Sequence, residues 1–411
     1  MTTVGPAAGA SLRVENVLVF DGVSDELVEG PVTIADGRIV EVGAAHGDAA
    51  RVLDAGGGVV VPGLIDAHFH AYGTSLDLLE LESSRLSYVA LSGARRLAAA
   101  LRRGFTTVRD VAGGDPGLAK ALREGVLPGP RYLYTGPALT QTGGHGDPHP
   151  ADLDLCARGG HVGEVVDGVD ALRRAVRTRF RDGAHAIKIM TSGGVVSPTD
   201  PIRVPQYSGE EVRAVAEEAT RRGSYVAAHA YSPEAIAHSV NNGVRTIEHG
   251  NLLDEAAAEL MREHEAFLVP TLAAYDAMDR RGEELGLSPA SAEKNREVLA
   301  AGQRAVEIAR SAGVRIGFGT DLMGPLEDDQ LVGFRLQVQA DGVANMLRSA
   351  TSVNADILGR PDLGRIRPGA VGDLVVLDGN PFDDPSLLWS ARARRAVVQN
   401  GHLVAGSRKE A

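Results

Sequence analysis

The chain has 411 residues, a single cysteine, Cys156, and a formal net charge of −12. One cysteine excludes an intramolecular disulfide and a zinc site built on several thiolates. Because nucleic acids are bound mainly through Lys and Arg, the acidic balance argues against a nucleic-acid partner. At about 150 residues per domain, this length predicts two or three domains, although a barrel can use about 250 residues as one.

The sequence also predicts the cellular location. The amino-terminal residues lack a basic segment followed by an apolar stretch, which a signal peptide would show. No apolar run approaches the roughly 18 residues of a membrane-spanning helix. Together with the scarcity of cysteine, these features predict a cytoplasmic protein with no membrane partner.

Both ends of the chain alternate apolar and polar residues, a pattern typical of β-strands. The alternation covers residues 12–22, 31–43 and 50–63 at the start, and residues 372–379 and 395–406 at the end. Two small β segments that flank a long middle pair most simply into one discontinuous domain. The alternative is two unrelated β appendages.

The middle of the chain alternates short β segments with helical ones rich in Ala, Arg and Glu. Eight strands with intervening helices give the count of an α/β protein of the (β/α)8 barrel type. A doubly wound open sheet is the alternative, but no glycine-rich phosphate motif follows an early strand. The predicted strands cover residues 63–70, 105–110, 131–136, 185–192, 225–230, 245–250, 267–272 and 314–321, and clear helices cover 91–104, 169–183, 209–223 and 295–313.

Six polar residues lie on the predicted strands or at their ends, where barrel enzymes form their active sites. Alone, each has a structural explanation, such as a hydrogen-bonded core histidine, a helix N-cap or a lysine whose ammonium reaches water. Their shared position favours one common site. The set is His68 and His70 on the first strand, Lys188 on the fourth, His229 on the fifth, His249 on the sixth and Asp321 on the eighth.

The order His-x-His, Lys, His, His, Asp resembles the amidohydrolase superfamily of the binuclear metal type. The resemblance includes VVPGLIDAHFH at 60–70, residues 229–251, FGTD at 318–321 and IRPGAVGDLVVLDGNP at 366–381. It implies a (β/α)8 TIM barrel over residues 63–356 and a composite β-sandwich from residues 1–62 plus 357–411. TQTGGHGD at 140–147 and HAY at 229–231 are most similar to imidazolonepropionase-related, metal-dependent dipeptidases, a subgroup with prolidase-like and ochratoxinase-like members.

The resemblance implies a role for each residue. Two divalent cations, for which nitrogen-rich ligation favours Zn²⁺, would share a hydroxide that attacks an amide carbonyl. Asp321 would carry the proton to the leaving nitrogen. His145 would stabilise the oxyanion or hold the substrate, and Tyr231 would contact the substrate's carboxylate or carbonyl. The implied ligands are His68, His70 and Asp321 for the more buried metal, His229 and His249 for the more exposed one, and Lys188, carboxylated by CO₂, as the bridge.

These roles predict a hydrolase of amide C–N bonds, either a dipeptidase or an N-acyl amino acid amidohydrolase, with a small-molecule substrate. One alternative is a hydrolase of xenobiotic aryl ureas or carbamates. A mononuclear cyclic-amide hydrolase or deaminase is another, but it would not need Lys188. A non-catalytic scaffold on the same fold would be expected to lose ligands. The resemblance also implies a homo-oligomer.

Overall fold

The computed structural model describes residues 11–149, 160–197 and 200–406, so that Cys156 lies outside the described residues. Within these ranges the two chain ends form one sheet. Its strands are β1 (Ser11–Val19), β2 (Val28–Glu29), β3 (Val32–Ala35), β4 (Arg38–Val42), β5 (Arg51–Pro62), β16 (Leu374–Leu377), β17 (Arg395–Gln399) and β18 (His402–Ala405). Their order is β18-β17-β16-β5-β1-β3-β4, with β2 paired to β1.

The contact between the two chain ends is a direct strand pair. β16 runs antiparallel to β5, with Val376 opposite Val60. The predicted union of both ends into one β domain is therefore confirmed, and its two parts are hydrogen-bonded into a single sheet. Except for the parallel pair of β1 and β5, the strand pairs of this sheet that the structure describes are antiparallel.

The middle of the chain forms the predicted (β/α)8 barrel. Its described strand pairs are all parallel. Backbone hydrogen bonds from His185 to Tyr134 and from Ala67 to Phe318 join the two parts of the barrel sheet. The strands are β6 (Leu64–Phe69), β7 (Phe105–Asp110), β8 (Arg131–Tyr134), β9 (Ala138–Thr140), β10 (Gly163–Val165), β11 (Ile187–Met190), β12 (Val226–Ala230), β13 (Thr246–His249), β14 (Phe267–Val269) and β15 (Arg315–Ile316).

Helices cover the outside of the barrel. The sequence pattern predicts the helices at residues 91–104, 169–183, 209–223 and 295–313 most clearly, and the structure has a helix at each place. Shorter helices start at side-chain caps, as at Ser232 before Pro233–Asn241 and at Asp254 before Glu255–Glu263. The helices are α1 (Leu78–Ser83), α2 (Leu86–Arg102), α3 (Pro116–Arg123), α4 (Val169–Arg181), α5 (Gly209–Arg221), α6 (Pro233–Asn241), α7 (Glu255–Glu263), α8 (Leu272–Arg281), α9 (Pro289–Ser311), α10 (Val332–Arg348) and α11 (Asn354–Ile357).

Two barrel strands differ from their predicted extents. The third is divided, because β8 pairs with β7 whereas β9, after a turn at Gly136, pairs with β11. The eighth is shorter than predicted, since regular pairing ends at Ile316. Beyond it the chain lies so close to β6 that a Cβ on Gly319 would be 2.5 Å from that of His68. Asp321 then donates its backbone N–H to the carbonyl of His68, which places the two site residues side by side.

The sheet and the barrel share a hydrophobic core. Phe20, Val59 and Val61 from the sheet pack in one cluster with Leu64 and Phe105 from the barrel. The division into residues 1–62 plus 357–411 and residues 63–356 stays a prediction. Among the described residues, no helix combines the length and hydropathy needed to cross a membrane.

Candidate active site

The six predicted ligands meet at the carboxyl-terminal mouth of the barrel. They line one cavity of about 840 Å³, which includes space open to solvent. Five of them are buried, and the Asp321 side chain is 18% exposed. The fold therefore brings together, as the sequence predicts, residues that lie up to 253 positions apart along the chain, from His68 to Asp321.

Asp321 lies between three of the predicted histidine ligands. Its Oδ1 lies 2.8 Å from His70 Nε2 and 3.4 Å from His68 Nε2. Its Oδ2 lies 3.7 Å from His249 Nδ1. Ligand-capable atoms of His68, His249 and Asp321 all lie within 4.8 Å of one another, so this group could hold a metal ion.

His229 lies on the other side of His249. The two ring centroids are 4.4 Å apart, and the His229 ring stacks on that of His145 at 4.3 Å. Its Nε2 is 3.2 Å from the carbonyl oxygen of Gly193. Four imidazoles thus form a continuous series from His68 to His145, with a carboxylate at one end.

Lys188 is a fully buried lysine on β11. Burial lowers the pKa of its amine to about 8, although Glu248 and Asp321 act in the opposite direction. Within the part of the chain that the structure describes, its ammonium forms neither a hydrogen bond nor an ion pair within 4.0 Å. A buried lysine without a partner is costly, which favours a function that uses the amine.

The ionisation states suit metal ligation, which needs neutral imidazole and ionised carboxylate. Burial, with neighbouring positive charge, holds the pKa of His229 well below its ordinary value. Burial also lowers the pKa of His249, despite the nearby Asp321. For Asp321, burial raises the pKa, but His68 and His70 outweigh it and hold the carboxyl pKa well below its usual range.

Two of the clustered residues have an unusual backbone. His249 has a φ of 77° and Asp321 a φ of 55°, in the left-handed region that L-residues seldom adopt. At His249 the turn lets two adjacent residues, Glu248 and His249, both contact His68, although strand side chains normally alternate. Such strain is typically found at functional sites, where the surrounding structure maintains it.

Glu248 and Arg109 hold His68 in place from inside the barrel, and neither was predicted from the sequence. Glu248 Oε2 accepts a hydrogen bond from His68 Nδ1 at 2.8 Å, while Arg109 donates to its Oε1 at 2.7 Å. Burial acts to raise the pKa of Glu248, but Arg109 and His68 hold it far below its ordinary value. This pairing fixes the His68 ring so that Nε2 faces Asp321. The sequence does contain a signal for Glu248, because it is a charged residue inside an apolar strand and directly precedes the predicted ligand His249.

The two predicted substrate-contacting residues also reach the cavity. His145 comes from the long connection after β9, and a Cβ on Gly194 would lie 2.1 Å from its ring. Tyr231 follows β12, and its hydroxyl is 2.9 Å from that of Tyr275. Tyr275, which sequence analysis did not identify, is in turn hydrogen-bonded to His249 Nδ1 at 2.8 Å.

The remaining wall of the cavity is apolar. Side chains from several loops and helices form it, which leaves the polar groups concentrated at the floor. The apolar lining includes Leu76, Val162, Val195, Met278, Met323 and Leu326. This division between an apolar wall and convergent polar groups is typical of small-molecule sites.

The fold and the cavity together define a barrel enzyme with a histidine-rich centre at the strand ends. The sequence profile of the Amidohydrolase family matches residues 59–404, and the chain belongs to this family. Ochratoxinase from Aspergillus niger is 33% identical over 370 residues, which cover 85% of this chain and 76% of that protein.

Solved structures agree with this assignment. A prolidase complexed with N-methylphosphonate-L-proline is 44% identical, with a TM-score of 0.93 over 97% of this chain and 100% of that one. A Xaa-Pro dipeptidase with bound methionine is 29% identical, with a TM-score of 0.86 and the same coverage. The resemblance to the dipeptidase and ochratoxinase-like subgroup is confirmed, and the chain is a hydrolytic enzyme that acts on C–N bonds.

Proposed function

We propose that the chain is a binuclear metal-dependent hydrolase of amide and peptide bonds, either a dipeptidase or an N-acyl amino acid amidohydrolase. The observation that carries this proposal is the convergence of His68, His70, Lys188, His229, His249 and Asp321 on one cavity. The similar solved structures are a prolidase and a Xaa-Pro dipeptidase, and we extend the dipeptide substrate class to this chain.

In this proposal the clustered residues would hold two cations. His68, His70 and Asp321 form one group, and His229 and His249 form a second. Lys188 is the buried amine of the same cavity. We assign it as the bridge: its neutral Nζ attacks the carbon of CO₂, an N–C bond forms as one C=O π bond opens onto oxygen, and a proton leaves to solvent. The resulting carbamate carries one negative charge shared by its two oxygens.

When bound, two divalent cations, which we assign as Zn²⁺, would lower the pKa of a water towards neutrality and polarise the scissile carbonyl. Asp321 accepts a proton from the attacking water and donates it to the leaving nitrogen, since an amine leaves readily only when protonated. Oδ2 is the more loosely held of its two oxygens, and we assign it the proton.

His145 and Tyr231 act on the substrate in this proposal. The His145 ring lies beside His229 and faces the cavity, where it can stabilise negative charge on the carbonyl oxygen. The Tyr231 hydroxyl would donate to a carboxylate or carbonyl of the substrate. A cytoplasmic location and a homo-oligomeric state belong to the same proposal.

A substrate screen tests the proposal. The zinc-loaded protein is assayed with dipeptides that include Xaa-Pro, with N-acyl amino acids and with aryl ureas. We expect turnover of members of the first two groups and little of the third. Preferential cleavage of aryl ureas would contradict the assignment and favour a xenobiotic hydrolase.

A further inference from the structure

In the loop between β11 and α5, the described residues 191–197 and 200–208 pack against His145. The Gly193 carbonyl contacts His229, and Gly194 approaches the His145 ring so closely that no side chain would fit. This loop therefore determines where His145 lies relative to the predicted ligands. The contacts that hold the loop in place come from residues other than the predicted ligands.

Lys294, on the distant helix α9, binds the backbone of this loop. Its ammonium donates hydrogen bonds to the carbonyls of Gly194 at 3.0 Å, Ser197 at 2.7 Å and Asp200 at 2.7 Å. An ammonium has three N–H donors, so all three are used on the backbone of one loop. The same nitrogen is 3.9 Å from the Asp200 carboxylate.

Asp200 connects the loop to the His145 ring. Its side chain is 2% exposed, and its Oδ2 lies 3.6 Å from His145 Nδ1. The same oxygen accepts hydrogen bonds from the Gly194 N–H at 3.0 Å and the Gln206 amide at 3.4 Å. Gln206 Oε1 also accepts from the backbone N–H of His145 at 3.0 Å. The loop thus holds the backbone of His145 by a hydrogen bond and packs against its ring, whose Nδ1 has the Asp200 carboxylate as a charged neighbour but no hydrogen-bond partner among the described residues.

We propose that Asp200 and Lys294 are positioning residues for His145, an inference that rests on the function proposed for that histidine. A carboxylate 3.6 Å from Nδ1 attracts the N–H of the ring electrostatically, and this favours the orientation in which Nε2 is the nitrogen left for the substrate. Lys294 holds Asp200 at the right distance by closing the loop around its own ammonium. Neither residue contacts the substrate, and both act through His145.

The test compares Asp200→Asn and Lys294→Met with the wild type, each loaded with zinc and assayed on the best substrate of the screen. We expect kcat to fall about 10- to 100-fold in both variants, as for other residues that orient a site histidine. KM and zinc content should change by less than about threefold, since the oxyanion develops only in the transition state. Arg296→Met, an exposed cation on the same helix, is the matched control and should retain wild-type kinetics.

A double-mutant cycle separates positioning from general destabilisation. In a His145→Asn background, Asp200→Asn and Lys294→Met should each cost less than about threefold more in kcat, because residues that act as a unit are not additive. Full additivity would overturn the inference, as would the loss of zinc from the single variants.

A crystal structure of Asp200→Asn gives a readout that does not depend on activity. We expect the His145 ring to leave its 4.3 Å stack with His229. An unmoved ring would overturn the positioning role even if the enzyme were active. By contrast, a wild-type protein that cleaves none of the screened amides, while His145 moves as expected in the variant, would contradict the proposed function alone.

Discussion

Glu248 Oε2 accepts a hydrogen bond from Nδ1 of His68 at 2.8 Å, and neither side chain is more than 1% exposed. Arg109 neutralises the same carboxylate from the opposite side at 2.7 Å. The ring of His68 therefore cannot rotate without breaking a buried hydrogen bond to a carboxylate. Carboxylates that hold histidine ligands in this way usually contribute strongly to metal affinity.

Glu248→Gln keeps the shape of the side chain but removes its charge, leaving Arg109 buried without a counter-ion. We expect zinc affinity to fall about 10- to 100-fold and the free energy of unfolding to fall by about 3–5 kcal/mol. Chelator competition and urea unfolding measure the two effects. Glu259→Gln, at an exposed ion pair on α7, is the control and should alter neither by more than about 1 kcal/mol. Wild-type values for Glu248→Gln would remove its supporting role.

Tyr231→Phe removes the hydroxyl that faces both Tyr275 and the cavity. A hydrogen bond to a charged group contributes about 1.5–3 kcal/mol, so kcat/KM should fall about 10- to 100-fold, mainly through KM. Steady-state kinetics on a dipeptide and on its carboxyl-terminal amide check this. The variant should lose discrimination between the two substrates. If the preference for the free carboxylate persists unchanged, Tyr231 does not recognise that group.

Glu218 gives a prediction for acid stability. Hydrogen bonds from Arg177 and Arg173 outweigh burial and lower its pKa from 4.5 to about 2. Because the folded-state pKa is the lower one, the stabilisation is complete above pH 4.5 and is lost as the pH falls towards 2. Arg177 is more than half exposed, so solvent screening limits the effect to about 1 kcal/mol.

Urea unfolding of the wild type and of Glu218→Gln between pH 7 and pH 3.5 tests this sign. The wild type should be the more stable protein at pH 7, and the two curves should converge on acidification. A difference that stays constant, or grows as the pH falls, would show that the carboxylate is not selectively ionised in the folded state.

The sequence was most informative where a residue type and a strand end coincide. His68, His229 and Asp321 could be assigned because parallel strands of a barrel bring their carboxyl ends together. Glu248 could not, since the alternation along β13 places it opposite His249, and only the backbone turn at His249 brings both to His68. Local patterns carry no information on such a turn.

Contacts between distant segments could not be predicted from the sequence either. Lys294 reads as an ordinary helix lysine, and its three bonds to the β11–α5 loop depend on how α9 packs. Asp200 lies in an irregular connection with no periodicity to interpret. The shortening of the eighth strand depends on the close approach of Gly319 to His68, which is a tertiary effect.

Lys188→Ala tests the bridging role. Removing the amine should abolish measurable turnover, because no carbamate can form, and short carboxylic acids supplied with zinc should restore part of the rate. Lys120→Ala, an exposed lysine on α3, is the control and should behave as the wild type. Full activity of Lys188→Ala without added acid would rule out the bridge.

The metal content of the active protein tests the central claim most directly. The wild type is dialysed against metal-free buffer, and zinc and other divalent metals are counted by elemental analysis beside an activity assay. We predict about two metal ions per chain, loss of activity on chelation, and its return only as the second equivalent of zinc is added. A protein that is fully active with less than about one metal ion per chain would contradict a binuclear centre.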